Sequence, residues 1–271
     1  MKSQKIISRE YKLVLKNEVF AGDELTLVER SQDFWISLSN NITPVECSGN
    51  LDAIDIRREI RFYDTDDHVL YHNDYIFRER KESNDDKKEI TLKFRHPDRY
   101  VSENRDMLPK KIGKGTRKFE EDIKTKFQTL YSFSSGQLCK DEQQFELLKD
   151  ICKFYPGIEN DLPHFDEGEK LRIVNDLQVR ELVIKEADIL LYGSSEEKAE
   201  CALIVWYDLS DTNVDQIPLV VEFSFRYGNK KGKYDLETAQ HAYAVFLQVQ
   251  EKMKDWINND TNTKTGFLYK K

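Results

Sequence analysis

The sequence predicts an α+β fold in which an antiparallel β-barrel carries a few peripheral helices. Three observations lead there. Segments with two-residue alternation recur along most of the chain, helical spacing is confined to a few stretches, and the alternating segments carry charge on one face. The charge is densest in 75–80 and 90–95, where Arg78 and Arg80 sit two apart and Lys93 and Arg95 repeat the spacing. Successive side chains of a strand point to opposite faces, so each pair shares a face, with Phe77, Leu92 and Phe94 behind it. A hairpin through 81–89 joins the pairs into a lattice of four cations. Like charges at that density need an anion to meet them. A sheet closed on itself can carry polar side chains inward for a ligand, whereas an open sheet turns them to water.

The elements follow in order. Residues 6–15 alternate as a strand, with Ile7, Arg9, Tyr11 and Leu13 on one side and Ser8, Glu10, Lys12 and Val14 on the other. The start Gly22-Asp23-Glu24 and the apolar set Leu25, Val28, Phe34, Trp35 and Leu38 predict a helix over about 23–40. Residues 55–63 alternate again and end in the turn-like Asp64-Thr65-Asp66-Asp67. After the cationic hairpin, 96–116 reads as a loop. Residues 118–124 fit either a strand, with Lys118, Glu120, Asp122 and Lys124 on one face, or a helix through Phe119, Ile123, Phe127 and Leu130. A helix is predicted within 137–155, its apolar side Phe145, Leu148, Ile151 and Cys152 and its stop Pro156-Gly157. Strands are predicted at 179–185, 202–207 and 218–227. The last helix runs over about 236–257, with Ala242, Phe246, Val249 and Met253 on one stripe.

The 271 residues are read as one domain. With 50 acidic against 42 basic side chains the net charge is −8, which argues against general attraction to nucleic acid or an acidic membrane. Any polyanion site is therefore a local basic patch on an acidic body. The longest apolar runs are far short of a membrane span, the amino terminus lacks a signal-peptide stretch, and the four cysteines are scattered. A cytoplasmic protein is the expectation. Gly113-Lys114-Gly115-Thr116 lacks the spacing of a phosphate loop and is set aside.

Several of these segments, in this order, resemble the CYTH, or triphosphate tunnel metalloenzyme, superfamily. Its opening strand motif E-x-E-x-K corresponds to Ser8-x-Glu10-x-Lys12. Its tyrosine–aspartate–threonine turn is matched by Tyr63-Asp64-Thr65, its R-x-R strand by Arg78 and Arg80, and its T-x-K strand by Thr91-Leu92-Lys93. Glu120, Asp122 and Glu222 match its later inward acids. The chain departs at Ser8 and Ser224, where the family has glutamates. The resemblance implies an eight-stranded antiparallel tunnel and a divalent-metal-dependent hydrolase of an inorganic or organic triphosphate. On that expectation Lys12, Arg78, Arg80, Lys93 and Arg95 grip phosphates, Arg180 adds a cation from the second half, and Glu10, Glu222, Glu120 and Asp122 hold Mg2+ or Mn2+. Guanidinium and ammonium groups suit phosphate oxygens, and hard cations take carboxylates. A non-catalytic polyphosphate-binding module and a nucleotidyl cyclase are the alternatives.

Overall fold

The computed structural model describes residues 4–83, 85–110, 115–192, 197–213, 215–228, 231–258 and 264–269. Gly113 and Lys114 of the glycine-rich segment lie outside them. Among the described residues eleven strands form one sheet: β1 (Ser8–Leu15), β2 (Glu46–Gly49), β3 (Ile56–Asp64), β4 (Tyr75–Glu82), β5 (Lys87–His96), β6 (Gly115–Lys124), β7 (Gln128–Lys140), β8 (Arg172–Ile173), β9 (Val179–Leu190), β10 (Lys198–Asp208) and β11 (Val220–Tyr227). Their order is β2-β9-β10-β11-β1-β6-β7-β5-β4-β3-β8, and β9 also pairs with β3, which closes a ring. β9 manages both partners along its length: Val179 to Val183 lie opposite β3, and Ala187 to Leu190 opposite β2.

The closed ring holds nine strands, so the expectation of eight antiparallel strands is corrected. A ring with an odd number of strands cannot alternate direction all the way round. One neighbouring pair has to run parallel, and it is β1 with β6. Every other junction of the ring is antiparallel.

Helices cover the outer face. α1 (Glu24–Asn41) starts on Asp23, whose carboxylate accepts from Thr26 N at 2.8 Å, and buries Leu27, Phe34, Trp35 and Leu38. Two short helices follow, α2 (Val69–His72) and α3 (Arg99–Glu103). Late in the chain α6 (Leu236–Lys252) is capped by Asp235. Together α1 and α6 pack on the outer side chains of β1 and β11, with Phe34 against Phe223 (5.0 Å) and Phe246 against Tyr11 (5.1 Å). Burying one such ring contributes about 2–3 kcal/mol. Across the ring, α4 (Leu148–Cys152) and α5 (Ile158–Asp161) cover Phe77, Leu92 and Phe94. Tyr155, between them, donates to the carbonyls of Ser135 (2.8 Å) and Ile90 (3.0 Å). A last turn, α7 (Lys264–Leu268), lies instead on the inner side, where it buries Leu268 beside Ile60, Phe62 and Trp206.

Two further expectations change. The open choice at 118–124 resolves as a strand, with Phe119 and Ile123 on the packed outer face. The long helix within 137–155 is not formed. β7 runs on to Lys140, and only Leu148–Cys152 is helical. Phe145, Leu148, Ile151 and Cys152 are indeed buried, but Leu147 bridges to Lys170 in an extended conformation and delays the helix start. No helix among the described residues is long and apolar enough to cross a membrane.

Candidate functional site

On β1, β5 and β6 two-residue alternation sorts the strand into an apolar outer row and a polar inner row, whereas Phe62, Ile204 and Trp206 give the cavity an apolar side. On β5, Ile90, Leu92 and Phe94 pack outward, while Glu89, Thr91, Lys93 and Arg95 line a cavity of about 250 Å³ inside the ring. β4 sends Ile76, Arg78 and Arg80 to the same cavity, β1 sends Glu10 and Lys12, β6 sends Thr116, Lys118, Glu120, Asp122 and Lys124, and β11 sends Glu222. The predicted lattice is thus formed, with Arg78 paired in register to Thr91, Arg80 to Glu89 and Ile76 to Lys93. Nine of the ten candidate residues share this cavity.

Arg180 is the exception. It points out of the ring, donates to Gln216 at 2.8 Å and lies over the Tyr207 ring. Its neighbour Glu181, in phase with Val179 and Val183, is the inward residue. Fully buried, Glu181 is held by Arg58, by Trp206 Nε1 at 2.6 Å and by Arg80 Nη2 at 3.7 Å. Burial alone would raise its pKa, but Arg80, Arg58, Lys264 and the indole N–H outweigh it and hold the carboxylate at about 2. Arg58 shares the phase of Ile60 and Phe62, so the period of β3 was the signal that could have found it. Lys264 carries no such signal, because it enters from a short C-terminal turn.

The cations differ in how well they are matched. Asp122 accepts from Lys12 (3.0 Å) and Lys93 (3.4 Å) and forms an ion pair with Arg95 at 3.1 Å. These three overcome its burial and push its pKa well below the usual carboxylate range. Burial likewise opposes the Lys12 ammonium, yet Asp122, Glu10 and Glu222 raise its pKa. Lys93 goes the other way: burial and then Arg95 bring it down to about 7, against the pull of Asp122. Arg78 has the least support. Among the described residues it makes no ion pair, only a long bond to Thr91 Oγ1 at 3.4 Å, and its buried Nε lacks a partner. Burial, with Arg80 beside it, moves the Arg78 pKa well down.

The acids have the hard oxygen donors that suit Mg2+ or Mn2+, but they do not gather into a site for one. Among the described residues no three acidic, histidine or cysteine side chains converge. Glu10 is taken by Lys12 at 2.9 Å and Glu222 by Lys264 at 2.9 Å. Glu120 accepts from Ser8 Oγ at 2.6 Å, so this acid too already has a protein partner. This donor set does not fit a protein-built metal centre.

β7, which the sequence did not reveal, makes room for the cavity. Its inner row includes Ser134 and Gly136, small residues of low strand propensity. A Cβ on Gly136 would lie 3.1 Å from Glu89 Oε1 and 3.2 Å from Thr116 Oγ1, so a larger residue there would crowd the wall.

No family model matches the chain, and no curated protein matches it. Among solved structures it is similar to a candidate adenylyl cyclase from Hippeastrum with a dominant triphosphatase activity. That likeness has 11% identity and a TM-score of 0.47, over 98% of this chain and 95% of that one. A candidate adenylate cyclase from Bacillus halodurans shows 10% identity and a TM-score of 0.42 over 96% of each chain. Another from Vibrio parahaemolyticus shows 12% and 0.36, over 98% of this chain and 99% of that one.

Proposed function

We propose that the cavity binds a triphosphate-bearing small molecule on the wall formed by Arg78, Arg80, Lys93 and Arg95. The observation that carries this reading is Arg78, a part-buried guanidinium on the cavity wall whose Nε is buried without a partner, with Arg80 beside it and no ion pair among the described residues. Burying an unmatched charge costs several kcal/mol, on the order of a whole ion pair. A phosphate chain removes that cost, because its oxygens accept from guanidinium groups in a bidentate, charge-assisted way. The cavity is lined by eight cations and five carboxylates among the described residues, which leaves a positive surplus for a multiply charged anion.

Hydrolysis of the bound triphosphate is the second reading. The arc of Glu10, Glu120 and Asp122 in the same cavity favours it, since acids facing a gripped phosphate can orient water. One panel tests both. Inorganic triphosphate and nucleoside triphosphates are titrated calorimetrically, and each is assayed for phosphate and pyrophosphate release with Mg2+, Mn2+ or EDTA. Saturable binding that disappears in the double variant Arg78→Ala, Arg80→Ala supports recognition. Phosphate release that the double variant abolishes adds hydrolysis. Binding or turnover indifferent to the double variant removes the site.

A further inference from the structure

Building on the triphosphate reading, we propose that the ligand is bound without a divalent metal, the ammonium groups of Lys12 and Lys264 standing where a metal would neutralise the acids. Two separate positions in the cavity carry the inference. On β1 and β6, register sets Glu10 directly opposite Asp122. Lys12 Nζ sits between them, 2.9 Å from Glu10 Oε2 and 3.0 Å from Asp122 Oδ1. A dication bridging these two carboxylates would have to expel that ammonium, which both acids stabilise.

The second position is Glu222 on β11. Lys264 Nζ lies 2.9 Å from Glu222 Oε1 and 5.5 Å from the centre of the Trp206 ring. Its backbone is anchored: Leu268, one turn on, is buried, and its carbonyl accepts from Asn175 Nδ2. The Lys264 cation is therefore built into the wall and enters from the C-terminal end of the chain. With Ser8 holding Glu120, all four acids expected to coordinate an ion have a protein partner. The surplus positive charge of the cavity is then available to the phosphate chain directly.

Calorimetric titration of the full chain with inorganic triphosphate tests this. In EDTA the wild type should bind saturably, and added Mn2+ should tighten binding by no more than about threefold. Lys264→Ala should weaken binding in EDTA by roughly tenfold or more, the loss of one charge-assisted contact. The same variant should be tightened by Mn2+, because Glu222 is left free to take an ion. Its far-UV dichroism and melting curve establish folding, and if it fails to fold, the wild-type pair of titrations decides alone. Wild-type binding that appears only with Mn2+ or Mg2+ overturns the inference and leaves the triphosphate reading standing. Lys264→Ala behaving like wild type in EDTA also overturns it. Absence of binding under every condition overturns both.

Discussion

Lys88, buried, and Arg78, half-buried, are cations on neighbouring strands, and they live in opposite circumstances. Lys88 faces outward from β5 into the layer under α4. There Glu79 meets its ammonium at 2.7 Å, Gln143 O accepts from it at 2.6 Å and the Phe145 ring lies beneath. Arg78 faces inward from β4, beside another cation and without an ion pair among the described residues. Desolvation weighs on both. On the outside the chain supplies the counter-charge itself, so the pair belongs to the fold. For Arg78 no carboxylate among the described residues forms an ion pair, which is why the proposed ligand is placed there. Charge matching, more than burial or residue type, separates structure from function in this ring.

That contrast can be broken by removing the matched cation. Lys88→Met should strip Glu79 of its shortest partner and destabilise the protein by about 3 kcal/mol, read from urea unfolding. Triphosphate affinity of the folded variant should be unchanged. A stable Lys88→Met variant with weakened binding would reverse the assignment of the two faces.

Glu181 is the matched charge of the inner face, and its pH dependence sharpens the comparison. Its folded pKa of about 2 lies below a glutamate's ordinary 4.5, so it contributes stability that is full above pH 4.5 and lost as pH falls towards 2. The gap corresponds to about 3 kcal/mol. Glu181→Gln should lose on that order at pH 7 and flatten the acid limb of the stability curve. An unchanged acid limb would contradict the link between Glu181 and Arg80.

Lys93 gives the smaller, opposite effect. Its folded pKa of about 7 lies below a lysine's ordinary 10.5, so the unfolded chain holds the proton more tightly between those values. Ligand-free stability should therefore rise with pH from 7 towards 10.5, and Lys93→Met should remove that slope. Triphosphate affinity should fall as pH rises through 7, by at most about tenfold per unit, with proton uptake on binding. Affinity flat from pH 6 to 9 would show that Lys93 does not meet the ligand.

Much of this was readable beforehand, for physical reasons. Alternation is a strong signal where rows are chemically distinct, so β4 and β5, with aromatic outer and cationic inner rows, were legible along with their shared cavity. The helices α1 and α6 showed through their stripes and acidic caps. β7 did not, because an inner row that includes Ser132, Ser134 and Gly136, the last two on the cavity wall, suppresses the propensity that marks a strand. Arg180 was misread by one residue, the error to which a period of two is most sensitive. Lys264 was beyond reach, since only tertiary structure brings residue 264 to Glu222. Ring closure with nine strands likewise depends on β9 pairing with β3 across more than a hundred residues of sequence.

The most direct measurement compares Arg78→Met with wild type by thermal unfolding, with and without inorganic triphosphate. Replacing a part-buried guanidinium that has no ion pair by an apolar side chain should raise the melting point of the ligand-free protein, by at most about 1–3 kcal/mol, and abolish the upward shift that triphosphate gives the wild type. A variant that melts lower than wild type and is still stabilised by triphosphate would contradict the central claim.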